Sequence, residues 1–83
     1  MNHLYRRSSE FETLERLKRW PKLMKRFPRV RIYSAEHAAY WRGTGQGYTD
    51  NPMESQILDI KDAYKMTRHC CSMKLIRFYP VPD

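Results

Sequence analysis

Few residues in this 83-residue chain have the types and spacing from which chemistry is built. His69-Cys70-Cys71 sets an imidazole beside two thiols. Zinc sites space their ligand pairs two to four residues apart and usually take four ligands. Adjacent cysteines rarely hold one ion together, and His3 and His37 are distant and follow no pattern. The reading is no metal, with Cys70 or Cys71 packing a helix against a sheet. Adjacent cysteines also rarely bridge, because the small ring strains both the disulfide and the peptide. Gly43, Gly45 and Gly47 spell G-x-G-x-G. A dinucleotide fingerprint ends in G-x-x-G and runs straight into a helix, whereas Tyr48-Thr49-Asp50-Asn51-Pro52 follows here. The glycines are therefore read as a hairpin turn that needs positive φ. Ser34, Glu36, His37 and Asp50 are the candidates for hydrolytic chemistry. They show no nucleophile elbow and no carboxylate pair at a telling spacing. The chain is read as non-enzymatic, with no catalytic residue and no cofactor.

The stronger signal is charge. Residues 1–31 hold ten bases (Arg6, Arg7, Arg16, Lys18, Arg19, Lys22, Lys25, Arg26, Arg29, Arg31) against three acids (Glu10, Glu12, Glu15), a difference of +7. That equals the formal charge of the whole chain, so residues 32–83 are neutral. Such asymmetry points to a polyanionic or acidic partner. A charge run is usually a solvated helix face, but this excess exceeds that norm. Three partners fit it: nucleic-acid phosphates, an acidic protein, or a membrane surface.

The elements that must position these cations change character at Pro28. Ser9 and Glu12 have the spacing of a capping box, and Glu10, Glu12 and Glu15 suit the start of a helix dipole. Phe11, Leu14 and Leu17 follow at helical spacing. Together they predict a helix over 9–20 that Pro21 ends or kinks. Leu23, Met24 and Phe27 predict one further turn, to 27. Beyond Pro28 the pattern is extended. Strands are predicted at 30–33, 38–42 and 48–49, with a short one at 56–58, and turns at Ser34–His37 and Asp50–Pro52. Asp59 reads as the N-cap of a helix over about 60–70 that faces inward through Ile60, Ala63, Tyr64, Thr67 and Cys70/Cys71. A last strand is predicted over 74–79, stopped by Pro80 and Pro82. The fold class is α+β: a small antiparallel sheet of three to four strands with one helix packed on a face, preceded by a basic N-terminal helix. The organisation is a basic helical arm, 1–28, and a small domain, 29–83.

At this length the core is thin, burying about 60–65% of the unfolded surface. Eleven aromatics compensate (Trp 2, Tyr 6, Phe 3). Six of them, Tyr33, Tyr40, Trp41, Tyr48, Phe78 and Tyr79, fall on or beside predicted strands. One sheet face packs on the second helix. The other is covered by Phe11, Leu14, Leu17 and Trp20, or presents aromatics and Arg31, Arg42 and Arg77 for base stacking; coverage is the favoured reading because so short a chain cannot spare aromatics from its core. No apolar run approaches the ~20 residues that span a bilayer, so no membrane insertion is expected. Met1–Arg7 lacks an apolar stretch behind its arginines, against a secretory signal. Free thiols fit a reducing cytoplasm.

Tyr40-Trp41-Arg42, Gly47-Tyr48-Thr49, Asp62-Ala63-Tyr64, Thr67-Arg68-His69-Cys70 and Ile76-Arg77-Phe78-Tyr79-Pro80-Val81 together resemble a class of short bacteriophage accessory proteins. These pair a YWR…GYT hairpin with a DA… helix and a closing strand. The resemblance covers residues 33–81 and implies a phage or prophage origin, inside a host cell. It implies no catalytic residue. The expectation is a cytoplasmic protein that binds and inhibits or redirects a host protein or nucleoprotein complex. The alternative is a regulator that binds DNA or RNA through the arm. A small enzyme is a distant third. The expected binding residues are Arg16, Arg19, Lys22, Lys25, Arg26, Arg29, Arg31, Arg42, Tyr40 and Trp41.

Overall fold

A computed structural model describes residues 10–43 and 47–81. In chain order the elements are β1 (Glu12–Thr13), α1 (Leu14–Arg19), a 3-10 turn (Pro21–Lys25), β2 (Arg29–Ser34), β3 (Ala39–Trp41) and β4 (Tyr48–Thr49). A second 3-10 turn (Pro52–Glu54), β5 (Ile57–Asp59), α2 (Ile60–Thr67), a third 3-10 turn (Ser72–Lys74) and β6 (Ile76–Pro80) complete the chain.

Alternation in β2 and β6 organises everything else. Val30 and Ile32 point to one face and Arg31 and Tyr33 to the other, and Ile76 and Phe78 alternate likewise with Arg77 and Tyr79. The two strands pair antiparallel from Val30↔Pro80 to Ser34↔Ile76. This register puts Ile32 opposite Phe78 and Tyr33 opposite Arg77, so like faces align. β3 and β5 both pair with β2, at its C-terminal and N-terminal halves respectively. β4 extends the sheet beyond β3, and β1 closes it beyond β6, giving the order β1-β6-β2-β3-β4. All pairings are antiparallel.

Six strands form where three to four are expected. β1 is the strand that the sequence pattern conceals. The spacing of Ser9 and Glu12 suggests a capping box, but Glu12 lies in β1, opposite Phe78. Thr13 caps α1 instead, its Oγ1 accepting from the Arg16 amide at 3.2 Å. Helix therefore runs over Leu14–Arg19 rather than 9–20. Ser9 lies outside the described residues.

α1 and α2 cover the same sheet face. Leu14, Leu17 and Phe27 join Val30, Ile32, Ile60, Ala63, Ile76 and Phe78 in one aliphatic core. The described part of the expected arm thus belongs to the same sheet and core as the rest of the chain. On the opposite face Tyr33, Tyr40 and Tyr79 form a second cluster, with Phe11 packed against it. Tyr33 lies edge-on to Tyr40 at 4.9 Å and to Tyr79 at 5.5 Å. Each such pair adds about 0.5–1.5 kcal/mol to its area burial. The expected cover by Phe11, Leu14, Leu17 and Trp20 is thereby split: Phe11 lies on the tyrosine face, Leu14 and Leu17 on the helix face, and Trp20 is turned outward.

α2 spans Ile60–Thr67, shorter than the expected 60–70, with Asp59 at its N-cap position but making no side-chain cap bond. β6 begins at Ile76 because Leu75 adopts the left-handed conformation (φ 52°), which ends the Ser72–Lys74 turn. Pro80 does not stop the strand but is its last residue.

Two local features test this construction. Glu12 is 1% exposed, and its carboxylate accepts from Arg16 Nε at 2.9 Å and from Arg26 Nη1 at 2.6 Å. Glu12→Gln keeps the shape but removes the charge. A loss of about 1.5–3 kcal/mol is expected, the scale of hydrogen bonds to a charged group. Glu15→Gln, at an exposed site, should change urea stability by less than about 0.5 kcal/mol. Gly47 sits at φ +82°, and a Cβ built there meets nothing within 4 Å. Its requirement is conformational, not steric. Gly47→Ala should cost about 1–2 kcal/mol and Gly47→Asn less, as the urea midpoints would show.

Candidate functional site: a basic helical layer

Packing α1, the Pro21–Lys25 turn and α2 on one face gathers their solvent-facing side chains into one layer. Residues 14–26 and 60–68 contribute Arg16, Lys18, Arg19, Lys22, Lys25, Arg26, Lys61, Lys65 and Arg68 to it, all exposed. Glu15 and Asp62 are the acids in the same segments. Lys61, Lys65 and Arg68 stand at i, i+4 and i+7, one stripe of α2, while Ile60, Ala63 and Thr67 face inward. The buried Thr67 hydroxyl donates to the Ala63 carbonyl at 2.8 Å, which satisfies it beneath the stripe.

Not all of these cations are equally available. Glu12 holds Arg16 and Arg26, and Arg26 also reaches Glu10 at 3.7 Å. Lys18 lies 3.7 Å from Glu15. Arg19, Lys22, Lys25, Lys61, Lys65 and Arg68 make no ion pair among the described residues. Like charges one helical turn apart destabilise a helix by a few tenths of a kcal/mol per pair. In these six residues the layer concentrates charge that makes no ion pair among the described residues.

The expected binding residues divide between surface and scaffold. Arg16, Arg19, Lys22, Lys25 and Arg26 lie in the layer. Arg29 begins β2 and Arg42 follows β3, and both are exposed. Arg31 is structural: its Nη1 donates to the Pro52 carbonyl at 2.6 Å and to Ser55 Oγ at 3.0 Å, fastening the Pro52–Glu54 turn to β2. Tyr40 is 3% exposed within the tyrosine cluster. Trp41 packs against the aliphatic core, its Nε1 buried without a hydrogen-bond partner among the described residues. Arg31, Tyr40 and Trp41 thus build the domain rather than a surface. The residues that sequence reasoning leaves out are Trp20, Lys18 and the α2 stripe. The i, i+4, i+7 spacing of Lys61, Lys65 and Arg68 was the available sign.

Three of the hydrolytic candidates share the 34–37 turn, where the His37 amide donates to Ser34 Oγ at 3.4 Å. Ser34 is fully buried and donates to the Lys74 carbonyl at 3.0 Å. His37 pairs with Glu36 at 3.5 Å on an exposed turn and stacks near Tyr48, ring centroids 4.5 Å apart. Asp50 is exposed. Gly45 lies outside the described residues. Among the described residues no three His, Cys, Asp or Glu side chains come together as a metal site, and no helix is long and apolar enough to cross a membrane.

The cysteines are free and unequal. Cys70 is half-buried against the core and Cys71 is exposed. Burial pushes the Cys70 thiol above its ordinary pKa, an effect only partly offset by Lys74 and Lys18. Because burial penalises the thiolate, Cys70 should alkylate more slowly than Cys71. Its rate should keep rising with pH above the ordinary thiol range. Peptide mapping after timed iodoacetamide treatment across pH checks both.

Comparison with known proteins finds no family model, no curated protein and no solved structure that matches this chain.

Proposed function

We propose that this protein acts by binding, without catalysis, and that its partner is nucleic acid held by the phosphate backbone against the helical layer. The observation that carries this reading is the group of six cations on one side of the sheet, Arg19, Lys22, Lys25, Lys61, Lys65 and Arg68, that make no ion pair among the described residues. Phosphate contacts release condensed counterions and need cations spread over a surface rather than a pocket. An acidic face of a host protein, another partner the sequence suggests, meets the same charge but offers no regular array of phosphates. The phage-type resemblance supports a setting inside a host cell.

Anisotropy titrations of a labelled duplex at rising KCl test the proposal. Engaging about five phosphates gives a slope of log affinity on log salt near −4.5. Lys22→Ala/Lys25→Ala should weaken binding whatever the sequence and make the slope shallower by about 1 per cation removed. Absence of nucleic-acid binding at low salt, with retention of polyglutamate, would overturn the assignment in favour of an acidic protein.

A further inference from the structure

Trp20 is the one large aromatic of the basic layer that is turned outward among the described residues. A continued α1 wheel would set it about 60° past Leu17, at the margin of the stripe that faces the core. Pro21 prevents this, since a residue before proline is pushed out of the α region. Trp20 takes φ −132° and ψ 80° at the end of α1, and Leu23, Met24 and Phe27 supply the cover instead. The indole is left 46% exposed, far above the buried Leu17. The Arg16 and Arg19 guanidinium carbons lie 5.7 and 5.3 Å from its ring centroid. Glu15, Arg16, Lys18, Arg19 and Trp20 line a shallow concavity there.

The indole's backbone is held at both sides: the Trp20 amide donates to the Arg16 carbonyl at 2.7 Å, and its carbonyl accepts from the Leu23 amide at 3.0 Å. A flat ring on a rigid support, with two guanidinium groups over it, is a surface that already receives planar cations. The ring can exchange such a contact for a base, and Arg19, which Glu12 does not hold, is then the partner for a flanking phosphate. Bases inside a duplex are already stacked and cannot reach it. Unpaired bases can.

Resting on the phosphate-binding reading above, we propose that Trp20 is a stacking platform for an unpaired base, so that the protein's partner is single-stranded nucleic acid. The α2 stripe and Lys22/Lys25 then hold the backbone on either side.

The test uses the full chain and anisotropy of labelled oligothymidylate against a blunt duplex of equal length. The unsubstituted protein should prefer the single strand. Trp20→Ala, at an exposed position, should weaken single-strand binding about tenfold or more, the usual effect of losing one stacking aromatic. Duplex affinity should stay within about twofold. Trp20→Tyr should restore most of the loss, which a merely structural role at the helix end would not distinguish by strand type. Circular dichroism verifies that each variant is folded. Equal loss on both forms, or no loss on either, overturns the platform while leaving phosphate binding intact. Failure of both forms to bind at low salt overturns the underlying reading and the platform with it.

Discussion

The arrangement depends on one buried carboxylate. Glu12 begins the edge strand β1, two residues before α1, and is almost without solvent. Arg16 reaches it from the next turn of chain and Arg26 from beyond the Pro21–Lys25 turn. A segment this rich in bases resists folding against itself, since its like charges repel. Glu12 answers two of the cations where they come nearest the core. The other cations of α1 and the Pro21–Lys25 turn are left on the outside. Charge pairing at the base and charge excess at the surface are thus two parts of one arrangement.

Above that junction the sheet keeps its two faces chemically separate. One face is aliphatic and takes both helices. The other carries three tyrosines whose rings meet edge-on or tilted, with Phe11 tilted against Tyr79 and Arg77 over the Phe11 ring. Strand alternation alone produces this separation, and the β2–β6 register preserves it across the strands. In a domain of this size both faces must contribute, because one thin aliphatic core buries too little area. Aromatics that suggest a binding surface in isolation, Tyr40 above all, are consumed in this second cluster.

Much of the β portion was legible. Alternation located β2, β3, β4 and β6 within a residue or two, and Ile60 and Ala63 marked the inward face of α2. β1 was not legible, since two residues of strand carry no period and the nearby S-x-x-E spacing imitates a helix cap. The outward turn of Trp20 was half legible. Pro21 announces a break, but where the freed indole goes depends on Leu23, Met24 and Phe27 taking its place over the core. Arg31 and Arg26 look alike in sequence. One is bound to the carbonyls of a turn 21 residues away and the other to a buried carboxylate, and neither partner is local.

By itself the sequence determined the fold class, the positions of the central strands and the size of the charge excess, because these follow from periodicity and composition. Only the tertiary structure decided which cations remain available. That choice rests on long-range pairing: Glu12 takes Arg16 and Arg26, the Pro52–Glu54 turn takes Arg31, and the packing of α2 beside α1 adds Lys61, Lys65 and Arg68 from the half of the chain whose net charge is zero. Net charge is additive along a sequence, whereas a charged surface depends on which residues the core leaves outside.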